Sequence, residues 1–449
     1  MNQPQSEYLK MSNFQQMEAD YALFDYKNEI QLPVWDILRY HVYWKYLSSN
    51  TNFSVNEKKR KSLKFYFNSL IILLSSSFSL IFRKKEYILF SYARNIDNKG
   101  LLFDIVSENI IKELEHKALI IGKRKAMPKY KHKTEFAFVN LLSRFIKTKS
   151  NLSKPFYETI QKAFEKEFED VRFTYDELNG IYSQFQKEYH YYRCYFKYKK
   201  PKKVFFVQEG IQKGMIHAAH SLNIPIIELQ HGIFNYEHPA YSYPVFITEK
   251  DDRVILPDLV LTFSNYWGKN MNLPARTISI GNDFFAEHLE TQTDYSVLII
   301  SSVIHGEYLS KLAIEYADLH PDIKIIFKLH ANEYREEDNY KKQFSRNKNI
   351  HIIKNERSVK ELSACASLVV LISSTVLFEA LQTNAKVGIY KRLNYDFLSD
   401  CFTLPNVYLL NSAENLHNAY LTEKKENNTS FFDKFDREQF TSLLTNNNL

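Results

Sequence analysis

Glycine and cysteine are scarce in this chain, with 10 of the first and 3 of the second among 449 residues. The cysteines, Cys194, Cys365 and Cys401, lie far apart, with no CxxC and no paired-histidine spacing. That argues for a reducing compartment and against a zinc site or a disulfide framework. No loop of the GxxxxGK[ST] or GxGxxG kind occurs, which disfavours a kinase-like or dinucleotide site. No DxD sequence and no His/Asp cluster points to a bound metal, so neither metal nor cofactor is expected. The net charge of +7 is modest for this length. It suits anionic ligands or an anionic membrane surface, and no nucleic-acid-binding module accompanies it. The N-terminal MNQPQSEYLKMSNFQQ lacks a basic-then-apolar signal pattern, so a cytoplasmic location is expected.

Long apolar runs are also nearly missing. The exception is LKFYFNSLIILLSSSFSLIF, residues 63–82, which lies between KKRK and RKK and has about the length of a membrane span. Lys64, Asn68 and the serines 75–77 weaken insertion. A buried or interfacial helix is the plainer reading. Peripheral attachment to the inner face of the cytoplasmic membrane, through the basic flanks, is the functional one.

What is present is an ordinary globular composition, 45% hydrophobic and 25% charged, in a chain too long for one core. Residues 1–85 read as a helical N-terminal region rich in aromatics and lysine. Short apolar runs then alternate with helical stretches: EYILFSYA (86–93), KALIIGK (117–123), KVFFVQEG (203–210), IPIIELQHG (224–232), PDLVLTFSNYW (257–267) and ARTISIGN (275–282). A second series follows, in YSVLIISS (295–302), IKIIFKLH (323–330), NIHIIK (349–354), SLVVLISS (367–374) and AKVGIYK (385–391). Such alternation is the signature of parallel sheets with helices on both faces. The expectation is an α/β chain of two doubly wound units, 86–285 and 290–425, with a closing helix and tail at 426–449. Two such units facing one another would form a cleft at the carboxyl ends of their strands.

The polar residues that could carry chemistry sit at those strand ends. Gln208-Glu209-Gly210 places a carboxylate where it could act as a general base, or stand as a solvated loop glutamate. Gln230-His231-Gly232 offers an imidazole able to donate to an anionic oxygen or to accept a proton. Its glycine would let a bulky ligand pass close to the backbone. Lys328 and His330, two residues apart at a strand end, suit a phosphate, although a surface pair on an edge strand would look the same. Ser373, Ser374 and Thr375 would cap the helix that follows, whose N-terminus favours an anion. Glu379, one turn further on, could reach a ribose hydroxyl. Ser301 and Ser302 could add hydroxyls.

Taken together, the Lys-x-His loop and the Ser-Ser-Thr-x-x-x-Glu stretch resemble the GT-B glycosyltransferases of bacterial surface-polysaccharide synthesis. The nearest likeness is to capsule-type sialyltransferases and Kdo transferases. Their acidic motif corresponds to Gln208-Glu209-Gly210, their HP motif to His330-Ala331 and their serine motif to Ser373-Ser374-Thr375. Ala331 replaces the proline, and Gln208 the first acid. The QHG loop also looks like that of capsule-synthesis and teichoic-acid glycerophosphotransferase proteins.

The resemblance covers about residues 200–390. It implies a metal-independent transferase that moves sugar from a nucleotide-sugar, held as a substrate, to a glycan or lipid-linked glycan of capsule, O-antigen or lipopolysaccharide. In that reading Glu209 and His231 are catalytic. Lys328, His330, Ser301, Ser302, Ser373, Ser374, Thr375 and Glu379 hold the donor, while Gln208, Gly210, Gln230 and Gly232 line the acceptor side. A CDP-alditol transferase, a UDP-sugar 2-epimerase and a non-catalytic scaffold are the alternatives.

Overall fold

The computed structural model describes residues 11–49, 84–93, 95–96, 99–122, 135–136, 146–148, 150–168, 171–269, 271–287 and 296–446. The 63–82 segment lies outside the described residues. Among them, no helix is long and apolar enough to cross a membrane.

The chain divides into two compact units, each built on its own parallel sheet. The N-terminal unit has strands β1 (Tyr87–Ser91), β2 (Ala118–Gly122), β3 (Glu135–Phe136), β4 (Lys203–Phe206), β5 (Ile226–Leu229), β6 (Leu259–Thr262) and β7 (Thr277–Ser279). Their order in the sheet is β3-β2-β1-β4-β5-β6-β7. Strands β1, β2, β4, β5 and β6 are buried at every position. This is why they read as continuous apolar runs rather than alternating ones.

Among the described residues, two α-helices lie before the first strand, α1 (Met11–Asp20) and α2 (Val34–Ser49). The sequence reads residues 1–85 as a region of their own. Instead Met11, Phe14, Trp35, Leu38 and Val42 join the same hydrophobic cluster as Ile88, Val204 and Ile226. Between β3 and β4 lie two helices, α4 (Lys154–Glu167) and α5 (Tyr175–Lys199), among the described residues, with α3 (Glu108–Leu114) earlier in the chain. The break is set by Thr174, whose hydroxyl accepts from the Glu177 N–H while Glu177 returns the bond, a reciprocal cap. Helix α6 (Lys213–His220) connects β4 to β5.

The C-terminal unit has β8 (Ser296–Ile300), β9 (Ile325–Lys328), β10 (Ile350–Ile353), β11 (Ala366–Leu371), β12 (Lys386–Tyr390) and β13 (Val407–Leu410), ordered β10-β9-β8-β11-β12-β13. Between them run α7 (Gly306–Leu319), α8 (Glu337–Gln343), α9 (Val359–Cys365), α10 (Val376–Gln382) and α11 (Ala413–Leu421). The last helix, α12 (Arg437–Thr445), belongs to the N-terminal unit. There Phe440 meets Phe205 at 5.9 Å, and Arg437 pairs with Glu113 at 2.7 Å.

Both sheets start in the middle, run outward to one edge, and return to the other side of the first strand. This is the Rossmann order, so the chain is an α/β protein of two doubly wound units. The reversal falls between β1 and β4 in one unit and between β8 and β11 in the other. Ligands of such sheets bind outside the carboxyl ends of the strands at that point.

Candidate functional site

In the C-terminal unit the reversal point lies beside three strand ends that carry the predicted residues. Ser301 and Ser302 follow β8, Lys328 closes β9 with His330 two residues on, and Ser373–Thr375 follow β11. Ile300 is in register with Lys328, and Ser301 N–H donates to the Lys328 carbonyl at 2.9 Å. Since neighbouring strands lie about 4.8 Å apart, the three ends share one edge spanning roughly 10 Å.

Lys328 is 7% exposed, and no hydrogen bond or ion pair among the described residues engages its ammonium group. Burial pushes its pKa down from the usual lysine range, and the Glu356 charge opposes that shift. The Lys328 stem is buried while the ammonium nitrogen is not closed off from solvent, which leaves the charge open to an anion at this edge. His330 is exposed and begins a turn, with its Nδ1 accepting from the Asn332 N–H at 3.2 Å. An accepting Nδ1 leaves the neutral ring's proton on Nε2, a donor of the kind a phosphate oxygen takes.

The serines are less uniform than the sequence implies. Ser302 is bonded to His305 Nδ1 at 2.9 Å. Ser301 is buried and donates to Glu333 at 2.9 Å, which makes it part of the scaffold rather than a free ligand hydroxyl. Ser374 accepts from the Val376 N–H at 3.3 Å and so caps α10. Thr375 holds the N-cap position but makes no side-chain cap, because its backbone (φ −58, ψ −20) is already helical. The helix has only seven residues. The hydroxyls of Ser373 and Thr375, rather than a helix dipole, are what this end presents. Glu379 is half-buried; burial pushes its carboxyl up to about 7, against the Lys360 charge.

Sequence reasoning missed Glu333, Tyr340, His305 and Gly306 at this edge. His305 is 2% exposed, and burial lowers its pKa to about 4. A signal for Glu333 was present in His330-x-x-Glu333, the spacing of a reciprocal helix cap, which this turn makes.

The N-terminal unit's strand ends tell a different story. Gln208, just past β4, has φ +73, a left-handed conformation unusual for a side-chain-bearing residue. It leads into a one-turn 3₁₀ helix, Glu209–Ile211. The Glu209 side chain lies outside the described residues. Gly210 was expected to admit a ligand; instead a β-carbon there would collide with the Tyr40 ring, so the glycine makes room for α2. Gln230 is likewise scaffold rather than acceptor wall. It is buried, its amide donates to the Gly232 carbonyl at 2.9 Å, and its oxygen accepts from the Phe263 N–H at 2.9 Å. Beside Gly232 the space is open. His231 is half-buried and acts electrostatically on His238, whose pKa is lowered to about 3, mainly by burial.

Behind this edge lies a buried ionic network. Glu18 receives Arg39 at 2.5 and 3.0 Å and the Trp35 indole at 2.7 Å. Burial alone would lower the Arg39 pKa; the Glu18 charge and hydrogen bonds raise it on balance. Lys213 pairs with Asp36 at 2.8 Å and donates to the Tyr243 hydroxyl at 3.1 Å and the Ile255 carbonyl at 2.9 Å. Asp36 also accepts from the Tyr243 hydroxyl at 3.0 Å and the Ile255 N–H at 2.8 Å, and Arg39 donates to the Pro239 carbonyl, so the two, one turn apart on α2, fix that helix to the loop after β5. A cavity of about 440 Å³ in this unit lies at the amino ends of β6 and β7, lined by His220, Lys250, Asp258 and Arg276 among others. It is on the wrong edge for the strand-end residues, and the His220–Asp258 pair (3.4 Å) occupies part of its wall.

No protein-family model matches the sequence, and no curated protein is similar to it. Among solved structures, the chain is similar to the UDP-GlcNAc 2-epimerase of Methanocaldococcus jannaschii in complex with UDP-GlcNAc and UDP. The identity is 16% and the TM-score 0.48, over 80% of this chain and 99% of that one. It is also similar to UDP-GlcNAc 2-epimerase from Neisseria meningitidis bound to UDP-GlcNAc (13%, TM-score 0.44, 74% and 90%). A third likeness is to Acinetobacter baumannii MurG (9%, TM-score 0.39, 81% and 91%). Likenesses this loose assign no activity; the strand order of the two sheets carries the fold class by itself.

Proposed function

We propose that this chain is a glycosyltransferase that takes a sugar from a nucleotide-sugar donor to a glycan of capsule, O-antigen or lipopolysaccharide, without a metal ion. The observation that carries the reading is Lys328, a largely buried lysine with no hydrogen bond or ion pair among the described residues, at the carboxyl edge beside the reversal point of a Rossmann-order sheet. A diphosphate or phosphodiester would supply the charge it lacks. His330, donating from Nε2, would bind a second oxygen. Ser373, Thr375 and Ser302 would offer hydroxyls, and Glu379 would take the ribose.

In the N-terminal unit, Glu209 is the proposed base and His231 a donor to phosphate or sugar, with the two roles open to exchange. The acceptor hydroxyl would lose its proton to the base as its oxygen bonds to the anomeric carbon. The bond from that carbon to the phosphate oxygen breaks, and its electron pair leaves with the phosphate. Lys328 and His330 would hold that charge where it develops. Contact with the inner membrane face through residues 63–82 is part of the proposal. If deleting that segment leaves the protein's membrane fraction unchanged, that part fails.

Thermal shift with UDP, GDP, CMP and CDP tests the donor site. A nucleotide that binds only the native state stabilises it by about 2.7 kcal/mol at a hundredfold excess over Kd. The expected result is a rise with one of them, and CDP alone would favour an alditol-phosphate transferase. No rise with any would remove the enzyme reading. Glu209→Gln should abolish transfer while leaving nucleotide binding intact, and a fully active variant would reject Glu209 as base.

A further inference from the structure

Glu333, 4% exposed, stands at the third position of the turn after β9. One of its oxygens accepts from the Ser301 hydroxyl at 2.9 Å and from the Tyr340 hydroxyl at 2.9 Å. The other accepts from the His330 backbone N–H at 3.1 Å. The donors come from three elements: the exit of β8, the exit of β9, and α8. Gly306, at the start of α7, lies against the same atoms. A β-carbon there would collide with the Tyr340 hydroxyl and Glu333 Oε1 and come within 3.1 Å of Ser301 Oγ.

We propose that Glu333 is a positioning residue: by accepting all three bonds it fixes the spacing of the β8 and β9 exits, and with it the aim of His330 at an anionic ligand. The ligand rests on the nucleotide reading above; the clamp rests on the hydrogen bonds alone. A carboxylate serves because it has acceptor sites for every donor and presents no hydrogen of its own. An amide of the same shape turns one of the three bonds into donor against donor, and a buried donor without an acceptor is expensive. The His330 ring follows the turn, since its Nδ1 is already engaged by Asn332. Loosening the turn therefore re-aims Nε2–H.

The test compares Glu333→Gln and Gly306→Ala with Asn347→Ala, which removes a hydrogen bond to Asp318 elsewhere in the same unit. Tyr340→Phe, which loses one of the three bonds, stands in should Glu333→Gln not fold. In ligand-free protein, the His330 ring-proton NMR resonance should move in both clamp variants and stay in place in Asn347→Ala. With UDP, GDP, CMP and CDP offered, the Kd of whichever binds the wild type should rise about tenfold in the clamp variants, as expected for one lost bond to an anion. An unmoved His330 resonance in Glu333→Gln overturns the proposal, as does an equal loss of affinity in Asn347→Ala. Should the wild type bind none of the four, the nucleotide reading fails and the His330 resonance alone decides the clamp.

Discussion

The two units carry the same strand order, yet they treat charge differently behind their carboxyl edges. In the N-terminal unit the buried ions are matched within the protein: Arg39 by Glu18, Lys213 by Asp36 and a carbonyl. In the C-terminal unit Lys360 and Lys386 are matched by backbone carbonyls in the same way, while Lys328 has no hydrogen bond or ion pair among the described residues. A matched buried pair gives little net stability over apolar residues but fixes how elements sit against one another. Lys328 is opposed only by the Glu356 charge, without a bond that would fix its ammonium in place. The difference separates residues whose charge is held by bonds within the fold from one whose charge the proposed function assigns to a ligand.

Removing one partner of a matched pair should have the largest effect. Glu18→Ala strands Arg39 in an apolar interior and should cost about 3–5 kcal/mol in urea unfolding. A loss below about 1 kcal/mol would mean that Arg39 finds water or another acceptor, and the contrast between units would weaken.

Next comes Glu379. Its carboxyl is raised by burial to about 7, so its ionised form opposes folding. That penalty is absent below the unfolded pKa of about 4.3, grows as pH rises, and is complete above 7. Glu379→Gln should therefore stabilise the protein by up to about 3 kcal/mol at pH 8 and by little at pH 4. Equal effects at both pH values would contradict the assigned cause.

Gly210→Ala should lose about 1–3 kcal/mol by overpacking against Tyr40, and Tyr40→Ala in the same chain should relieve the clash. If Gly210→Ala keeps its stability but loses activity, a ligand rather than Tyr40 would be using that space.

Acid should act on both units through their buried imidazoles. His238 and His305 stay neutral in the fold well below the pH at which they titrate in the unfolded chain. Their contribution is complete above about pH 6.5 and falls by about 1.4 kcal/mol per pH unit for each as pH drops toward 4. Replacing either by Phe or Gln should flatten that part of the pH–stability curve. An unchanged curve would remove the residue from the account.

The strands were legible because a parallel sheet buried on both faces needs unbroken apolar runs, and YILFS, VFF and SVLII are such runs. Strand β13 and helix α11 were not; Val407–Leu410 is a partly exposed edge strand and reads as loop. The candidate edge of the C-terminal unit was legible for the same reason the strands were, since its polar residues sit where apolar runs stop. What could not be read is which of those residues the protein itself consumes. Gly210 answers to Tyr40, 170 positions away; Gln230 answers to Phe263, and Ser301 to Glu333. Such pairings are made by the folded topology and leave no local pattern. Asp36 and Arg39 did leave one, as charges inside the apolar VWDILRYHV of α2.

The central claim, that Lys328 is reserved for an anionic ligand, is tested most directly by titrating wild-type protein and Lys328→Met with the nucleotide that stabilises the wild type. Replacing an ammonium that makes no hydrogen bond or ion pair among the described residues with a methionine of similar length should leave stability unchanged or raise it by about 1 kcal/mol. Nucleotide affinity should fall about tenfold to a hundredfold, the loss expected for one charge-assisted bond. A variant that binds the nucleotide as tightly as the wild type, or one that unfolds because Lys328 was holding the unit together, would contradict the account.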